Sequence, residues 1–285
     1  MGKFKQLDIE RMNKMNFIEN PLVTIIVPTY NRKNLLPMSV GSLLNQTYKN
    51  IEIVIVNDFG HPVEDVVEKF KDDRVKLINH DKNMGLGAAR NTGLRNSTGD
   101  YICLNDDDDI YYDEAIEFRL GLMKRFDADI VHTHSLKAIW KKYKGEDGIE
   151  RYNVNPFEKV LYWHSDFDRD LILIQNISPC NTIMFSRKSF NDTGYWFDEE
   201  MTSTEDHDMW CALSRKYHFY QSNVIDCEAT WRDDGSQMTG TRDFSKNWIK
   251  MFKRWRHTAN NLEYVTNSQN EMLKRVGINP KDHGL

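Results

Sequence analysis

Tyr101-Ile102-Cys103-Leu104-Asn105-Asp106-Asp107-Asp108-Asp109-Ile110-Tyr111-Tyr112 sets four consecutive carboxylates directly after one short apolar segment and before another. Adjacent carboxylates ~4 Å apart repel by about 4 kcal/mol at the effective dielectric of a protein surface, so they stay ionised together only in open water or around a cation. The C-terminal end of a buried strand is not open water. The placement therefore favours a hard divalent cation, which takes oxygen ligands and keeps positions free for a substrate's phosphates. An acidic, solvated loop is the alternative, and the flanking sequence has to decide between the two.

Upstream, Leu22 to Val27 is apolar apart from Thr24 and is stopped by Pro28, as expected for a strand buried on both faces. The loop Thr29-Tyr30-Asn31-Arg32 follows. Leu36, Val40, Leu43 and Leu44 then fall on one helical stripe, Ile51 to Val56 makes a second strand, and Asn57-Asp58-Phe59-Gly60 ends it. Val63, Val66, Val67 and Phe70 give another stripe, Val75 to Ile78 a third strand, and Gly87 to Arg95 a short helix before Tyr101. Strands alternating with helices at this spacing predict an α/β fold with a doubly wound, mostly parallel sheet, whose ligands sit off the C-terminal strand edge. Asp58 and the aspartate run both fall at such edges. A helix through Ala115, Phe118, Leu122 and Phe126 and the strand Asp129-Ile130-Val131 close this half near residue 134. No GxGxxG opens the first helix and no GxxxxGK[ST] occurs, so neither dinucleotide nor P-loop binding is supported.

From Lys137 to Asn176 the pattern weakens into aromatic, charged, loop-rich sequence, with Trp140, Tyr143, Tyr152, Tyr162 and Trp163 available for local core or a ligand-lining face. Asn181 to Phe185 is strand-like, Gly194 to Asp198 a turn, and Glu205-Asp206-His207-Asp208 opens a helix carrying Met209, Trp210 and Leu213. Acids at a helix start are favoured by its dipole, so capping alone accounts for them. Trp248, Met251, Phe252 and Trp255 recur at helical spacing among Lys246, Lys250, Lys253, Arg254 and Arg256. Such a basic amphipathic helix lies on an anionic membrane surface or packs on the rest of the chain. Leu262, Val265, Gln269, Met272 and Val276 suggest a short helical pairing element, through which copies of the chain could associate.

The 285 residues are 40% apolar and 28% charged with a net charge of −5, an ordinary globular composition that argues against a nucleic-acid partner. Cys103, Cys180, Cys211 and Cys227 have no CxxC spacing and read as reduced thiols of a reducing compartment. Phe4, Leu7, Arg11, Met15 and Ile18 predict a short helical arm in residues 1–20. No signal peptide and no apolar run long enough to span a bilayer is found, which suits a cytoplasmic protein, soluble or peripheral at the inner face of the membrane.

Four stretches together resemble the family 2 glycosyltransferases of the GT-A fold. They are Val23-Thr24-Ile25-Ile26-Val27-Pro28-Thr29-Tyr30-Asn31-Arg32; Ile51 to Asp58; Asn83-Met84-Gly85-Leu86-Gly87-Ala88-Ala89-Arg90-Asn91-Thr92-Gly93; and Gly99-Asp100-Tyr101-Ile102 running into the aspartates, with Glu205-Asp206 as a looser fifth. The resemblance implies an inverting transfer of a sugar from a nucleoside diphosphate donor, most often UDP-linked, to a glycan, lipid-linked or protein acceptor. It implies a Mn²⁺ or Mg²⁺ cofactor with Asp108 as principal ligand and Asp106 towards the donor ribose or the metal, Asp107 in the variable middle position on the donor side and Asp109 as a trailing acid. Thr29, Tyr30 and Arg32 would lie in the donor loop, Asp58 against the base or ribose, and Arg90 against a phosphate or in a buried ion pair. Asp206 would be the general base, and Glu205 would orient the site or meet the acceptor. Trp231-Arg232 followed by Ser236 resembles the loop from which a basic residue approaches the diphosphate, but Asp233-Asp234-Gly235 stands where a metal-binding histidine is frequent. The family's usual Asp-Asp-Gly-Ser is Asn57-Asp58-Phe59-Gly60 here.

The expected organisation is an arm (1–20), a nucleotide-sugar half (21–135), an acceptor and base half (136–240) that sets acceptor identity, and a C-terminal helical extension (241–285). Two rivals remain from the residues alone. A nucleotidyltransferase would carry a Gly-rich basic loop after the first strand, which Thr29 to Asn34 is not. A non-catalytic sugar- or cation-binding module would not need Glu205-Asp206.

Overall fold

The computed structural model describes residues 19–146, 150–162, 166–233 and 244–285, with the side chains of 150–158 and 162 outside the described set. The helical arm expected in the first twenty residues therefore lies almost wholly outside it. The apolar runs fold as their periodicity predicts: β1 (Val23–Thr29), α1 (Leu36–Leu44), β2 (Ile51–Asn57), α2 (Glu64–Phe70), β3 (Val75–Asn79), α3 (Leu86–Arg95) and β4 (Tyr101–Leu104). All seven residues of β1 and all seven of β2 are buried, the consequence of helices covering both faces.

These strands pair in the order β3-β2-β1-β4, all parallel. The chain lays β2 and β3 on one side of β1 and β4 on the other, so the winding reverses between β1 and β4. A crevice opens at the C-terminal ends of strands where this happens. Thr29 ends β1 there, and the aspartates follow β4. β1 continues through Pro28, where the sequence predicts a stop. Alternate residues of β1 bond to opposite neighbours: Asn105 N donates to Ile26 O on the β4 side, Asp58 N to Thr29 O on the β2 side. Pro28 faces β4, whose ladder with β1 has ended at Ile26, so its missing N–H is not needed. α3 lies close on β1 because position 93 has no side chain; a Cβ there would stand 2.5 Å from Ile26 Cγ2.

The later elements are β5 (Ile110–Tyr111), α4 (Ala115–Phe126), β6 (Ile130–Lys144), β7 (Glu150–Tyr162), β8 (Ile183–Ser186), α5 (Arg187–Thr193), α6 (Glu205–Ser214), β9 (Phe219–Arg232), α7 (Ser245–Trp255) and α8 (Leu262–Arg275). The sheet continues β4-β8-β6-β9-β5, with β7 on the outer part of β6. Two sequence expectations fail here. The first half does not close near 134, since the 135/136 boundary falls inside the fifteen-residue β6; and Lys137 to Tyr162 is largely a β-hairpin, not loop. The cause is composition: Lys137, Lys141, Lys142 and Lys144 break the apolar alternation of a strand whose far end is solvent-exposed. β9 is hidden in the same way by Tyr220-Gln221-Ser222-Asn223, and it carries Trp231 and Arg232, expected in a loop, at its end.

Under the aspartate turn, the fully buried Arg119 of α4 joins several elements. Its Nε and Nη2 donate to Asp226 of β9 at 2.8 and 2.7 Å, Nη1 to the Tyr111 hydroxyl at 2.9 Å, and Nη2 to the Asn181 carbonyl at 2.9 Å. Tyr111 in turn donates to Leu104 O at 2.8 Å, and Thr133 of β6 to Asp226 at 2.7 Å. The α7 stripe packs on the protein: Met251 and Phe252 are fully buried with Val265 and Leu273 of α8 against Leu173, Met201 and Cys211. The basic residues are engaged too. Lys250 pairs with Asp198 and Glu200, and Arg254 with Asp198 and Asp208. Val265, Gln269 and Leu273 turn the α8 stripe inward, leaving Leu262 and Val276 about half exposed. Among the described residues no helix is long and apolar enough to cross a membrane.

Arg119→Met strands the Asp226 carboxylate in the interior and is expected to cost about 3–5 kcal/mol in urea unfolding, much of which a compensating Asp226→Leu should restore. His132 of β6 is buried with neither ring nitrogen hydrogen-bonded, and burial, with His134 and Arg119 adding, pushes it down to about 3 from 6.5. The unfolded chain then takes up this proton first, so stability is full above about pH 6.5 and falls as the pH drops towards 3. His132→Leu should show a shallower loss of urea stability between pH 7 and pH 5 than the wild type.

Candidate active site

The crevice off β1 and β4 leads into a cavity of about 500 Å³ whose walls include Arg32, Arg90, Asp106, Asp108, Asp109, Glu205 and Asp206. Asn105 builds the aspartate turn from below: its Nδ2 lies 2.9 Å from Ser39 Oγ and 3.2 Å from the carbonyls of both Asp106 and Asp109. The four carboxylates consequently part ways. Asp106 is the most open, with its side chain 31% exposed, and takes Arg90 Nη2 at 3.1 Å. Asp108 lines the cavity and is held by Arg32 at 3.3 Å and by a close ion pair with Arg232. Asp109 accepts from Thr230 N at 2.9 Å.

Asp107 points away from the cavity. It accepts from Thr29 Oγ1 at 2.7 Å and Arg32 Nη1 at 3.0 Å and is almost wholly buried, so it ties the β1 loop to the turn. The middle position expected to be variable is therefore a buried, fully partnered one, beside the expected donor loop. Burial pushes the Asp107 carboxyl up to about 7, Arg32 opposing and the Asp108 charge adding. Asp109 is raised well above the carboxylate range, by burial first and then by Asp108 and Asp106.

Glu205 and Asp206 open α6 opposite. Thr204 before them adopts φ +62°, an outlier for a β-branched residue, and its hydroxyl bonds to Ser203 O and not to the helix. Asp206 reaches the cavity, bonded to His207 N at 2.7 Å and Asn176 Nδ2 at 3.3 Å. Glu205 is buried and forms a close ion pair with Arg90, while its Oε2 has no hydrogen-bond partner. Burial pushes Glu205 up to about 7, with Arg90 opposing and Asp206 adding. Arg90 is thus the buried ion-pair residue of the two possibilities raised by the sequence, bridging Asp106 and Glu205. His207 bonds to the Ile172 carbonyl and is held neutral by burial, which suits its place as a helix-start residue.

Thr29, Tyr30 and Asp58 lie off this cavity at the ends of β1 and β2. Tyr30 is about half exposed. The buried Asp58 accepts from Met84 N and Gly85 N, each at 2.8 Å, and contacts His80 Nδ1 at 2.8 Å, so it also shapes the turn into α3. The altered tetrapeptide leaves Phe59 exposed at φ +62°, where a bulky side chain is rare. Sequence reasoning missed part of the wall: Gln175, Asn176, Cys180, Phe244, Trp248 and Met272 all line it. Trp248 and Met272 were visible only as stripe residues of helices.

Among the described residues no group of three or more His, Cys, Asp or Glu side chains is arranged to hold a metal. The donor set still fits a hard cation. Five carboxylates line the cavity, Asp106, Asp108, Asp109, Glu205 and Asp206, with Arg32 and Arg90 among them and Arg232 paired to Asp108. The Asp107, Asp109 and Glu205 carboxyls are raised chiefly by burial, and neighbouring carboxylates add to each shift. Asp106 and Asp108 would offer such a cation exclusively oxygen.

Residues 24–194, more than half of the chain, match the family model for glycosyl transferase family 2. An uncharacterised glycosyltransferase of Rickettsia prowazekii is 27% identical over 273 residues, covering 94% of this chain and 82% of that one. The uncharacterised glycosyltransferase YwdF of Bacillus subtilis is 31% identical over 196 residues, 68% of this chain and 69% of its own. The structure of S. aureus TarS 1-349 in complex with UDP-GlcNAc superposes with a TM-score of 0.67 at 19% identity, covering 89% of this chain and 72% of that one. That last likeness is one of fold. Asp107→Ala should lower urea stability by about 1–3 kcal/mol by leaving Arg32 and Thr29 short of a buried partner; an unchanged midpoint would show that the β1 loop is anchored elsewhere.

Proposed function

Since the chain belongs to glycosyl transferase family 2, has the GT-A fold and is a glycosyltransferase, we propose that it moves a sugar from a UDP-linked donor to an acceptor hydroxyl with inversion at the anomeric carbon. The observation that carries this is the meeting of Asp106, Asp108 and Asp206 in one cavity. The solved complexes of TarS with UDP-GlcNAc and with UDP support the choice of base. In this reading Thr29, Tyr30 and Asp58 receive the nucleoside, and Arg32 and Arg232 turn from Asp108 towards the diphosphate when the donor enters. Asp106 and Asp108 hold Mn²⁺ or Mg²⁺, which when bound supplies charge stabilisation for the departing diphosphate.

Asp206 takes the proton of the acceptor hydroxyl as that oxygen forms its bond to the anomeric carbon. The bond from that carbon to the diphosphate oxygen breaks on the opposite face, and its electron pair leaves with the nucleoside diphosphate. Glu205 holds Arg90 and through it the register of the two carboxylate groups, and it does not itself touch the acceptor. A base so placed typically contributes ~10²–10⁴-fold. Asp206→Asn should therefore reduce nucleoside diphosphate release from UDP-sugars with Mn²⁺ or Mg²⁺ by roughly that factor, while UDP still raises the melting temperature of the variant. Equal turnover by wild type and variant would remove Asp206 from the role.

A further inference from the structure

We infer that the cavity wall formed by Trp231, Phe244 and Trp248 is the acceptor subsite and that its occupant is a pyranose ring, so that the acceptor is a glycan. This rests on the transferase reading of the same cavity and adds the substrate class to it. Trp231, Phe244, Trp248 and Met272 all line the cavity that Asp206 enters. All three rings are partly exposed. Phe244 and Trp248 stack at 6.1 Å between centroids with 28° between planes, and Lys137 Nζ covers the Trp231 ring at 3.6 Å. Fixed rings of this kind offer broad apolar faces at low entropic cost.

The rest of the wall is polar, with the Asn176 amide bonded to Asp206 at 3.3 Å. A ligand that satisfies both must carry a flat apolar face and a rim of hydroxyls, and a pyranose does: its axial C–H bonds sit on the ring plane while equatorial hydroxyls reach amide and carboxylate. A long lipid chain would leave the amide and carboxylate desolvated without partners. The distance from rings to base is also fixed. Asn247, next to Trp248, donates to Ser203 O at 2.9 Å and lies 2.8 Å from Ser203 Oγ, just before α6, and Trp255 Nε1 donates to Asp208 at 2.7 Å within α6. α7 and the helix carrying Asp206 thus move as one piece, so a ring stacked on Trp248 would present its hydroxyl in constant register with the base.

The test uses the full chain, a panel of UDP-sugars, and methyl glycosides and disaccharides as acceptors. Trp248→Ala should raise the acceptor KM by about tenfold with a smaller change in kcat, Trp248→Phe should recover most of it, and Phe244→Ala should act in the same direction. UDP should stabilise wild type and all three variants thermally alike, which confirms that the variants are folded. An unchanged acceptor KM in both alanine variants, or turnover of polyprenyl phosphates or aliphatic alcohols but of no glycoside, would overturn the inference. Loss of UDP stabilisation in a variant that remains folded by circular dichroism would also overturn it, by assigning the wall to the donor. If wild type releases nucleoside diphosphate from no donor, the transferase reading fails on its own account. The subsite is then read by tryptophan fluorescence: saturable quenching by the same methyl glycosides, lost in Trp248→Ala, upholds it, and no quenching in wild type overturns it.

Discussion

Arg90 is the point through which the two sides of the cavity are held together. Its guanidinium, buried on α3, pairs with Glu205 at the start of α6 and with Asp106 in the turn after β4. A charge placed so deep would be costly alone, and so would the buried Glu205 carboxylate; each is tolerable because the other is there. The chain has to bring residues 90 and 205 together before either charge is tolerated in the interior, and Asp106 then joins them from the open side. Close packing of α3 on β1 at Gly93, reversal of the sheet between β1 and β4, and the start of α6 opposite them are the conditions for that meeting.

The first half was legible because buried parallel strands carry nearly continuous apolar runs, so β1, β2 and β4 and the crevice beyond them follow from pattern and winding. The second half was less so. β6, β7 and β9 carry lysines and amides along exposed stretches, and a strand that is wet on one side over part of its length shows no clean period. The roles within the aspartate run were only half legible. Chemistry singles out carboxylates after a strand, but which of the four faces the cavity depends on Asn105 and Ser39 beneath the turn. The pairing of Asp107 with Arg32 and Thr29 spans 75 and 78 residues and leaves no local signal. The partnership of Arg90 with Glu205, over 115 residues, is equally invisible.

The C-terminal helices change most between sequence and structure. Basic residues interleaved with aromatics suggest a surface element seeking a partner. Here the partner is the chain itself: Lys250 and Arg254 meet the acids of the 198–208 segment, and the apolar stripe closes over Leu173, Met201 and Cys211. Only Lys246 and Lys253 of that basic set remain fully exposed. The extension completes the cavity and belongs to the catalytic body.

α6 begins with three acids within four residues, and the structure treats them unequally. Glu205 is gripped from within by Arg90, and Asp208 from without by Arg254, Tyr195 and Trp255. Asp206, between them, is the one that opens on the cavity beside Asn176, where the proposed reading puts the base. Its helix is thus clamped on both sides before any ligand arrives. On the proposed reading, the ordering that a proton acceptor would otherwise undergo during turnover is completed during folding, and the activation entropy of sugar transfer should reflect the gathering of donor and acceptor.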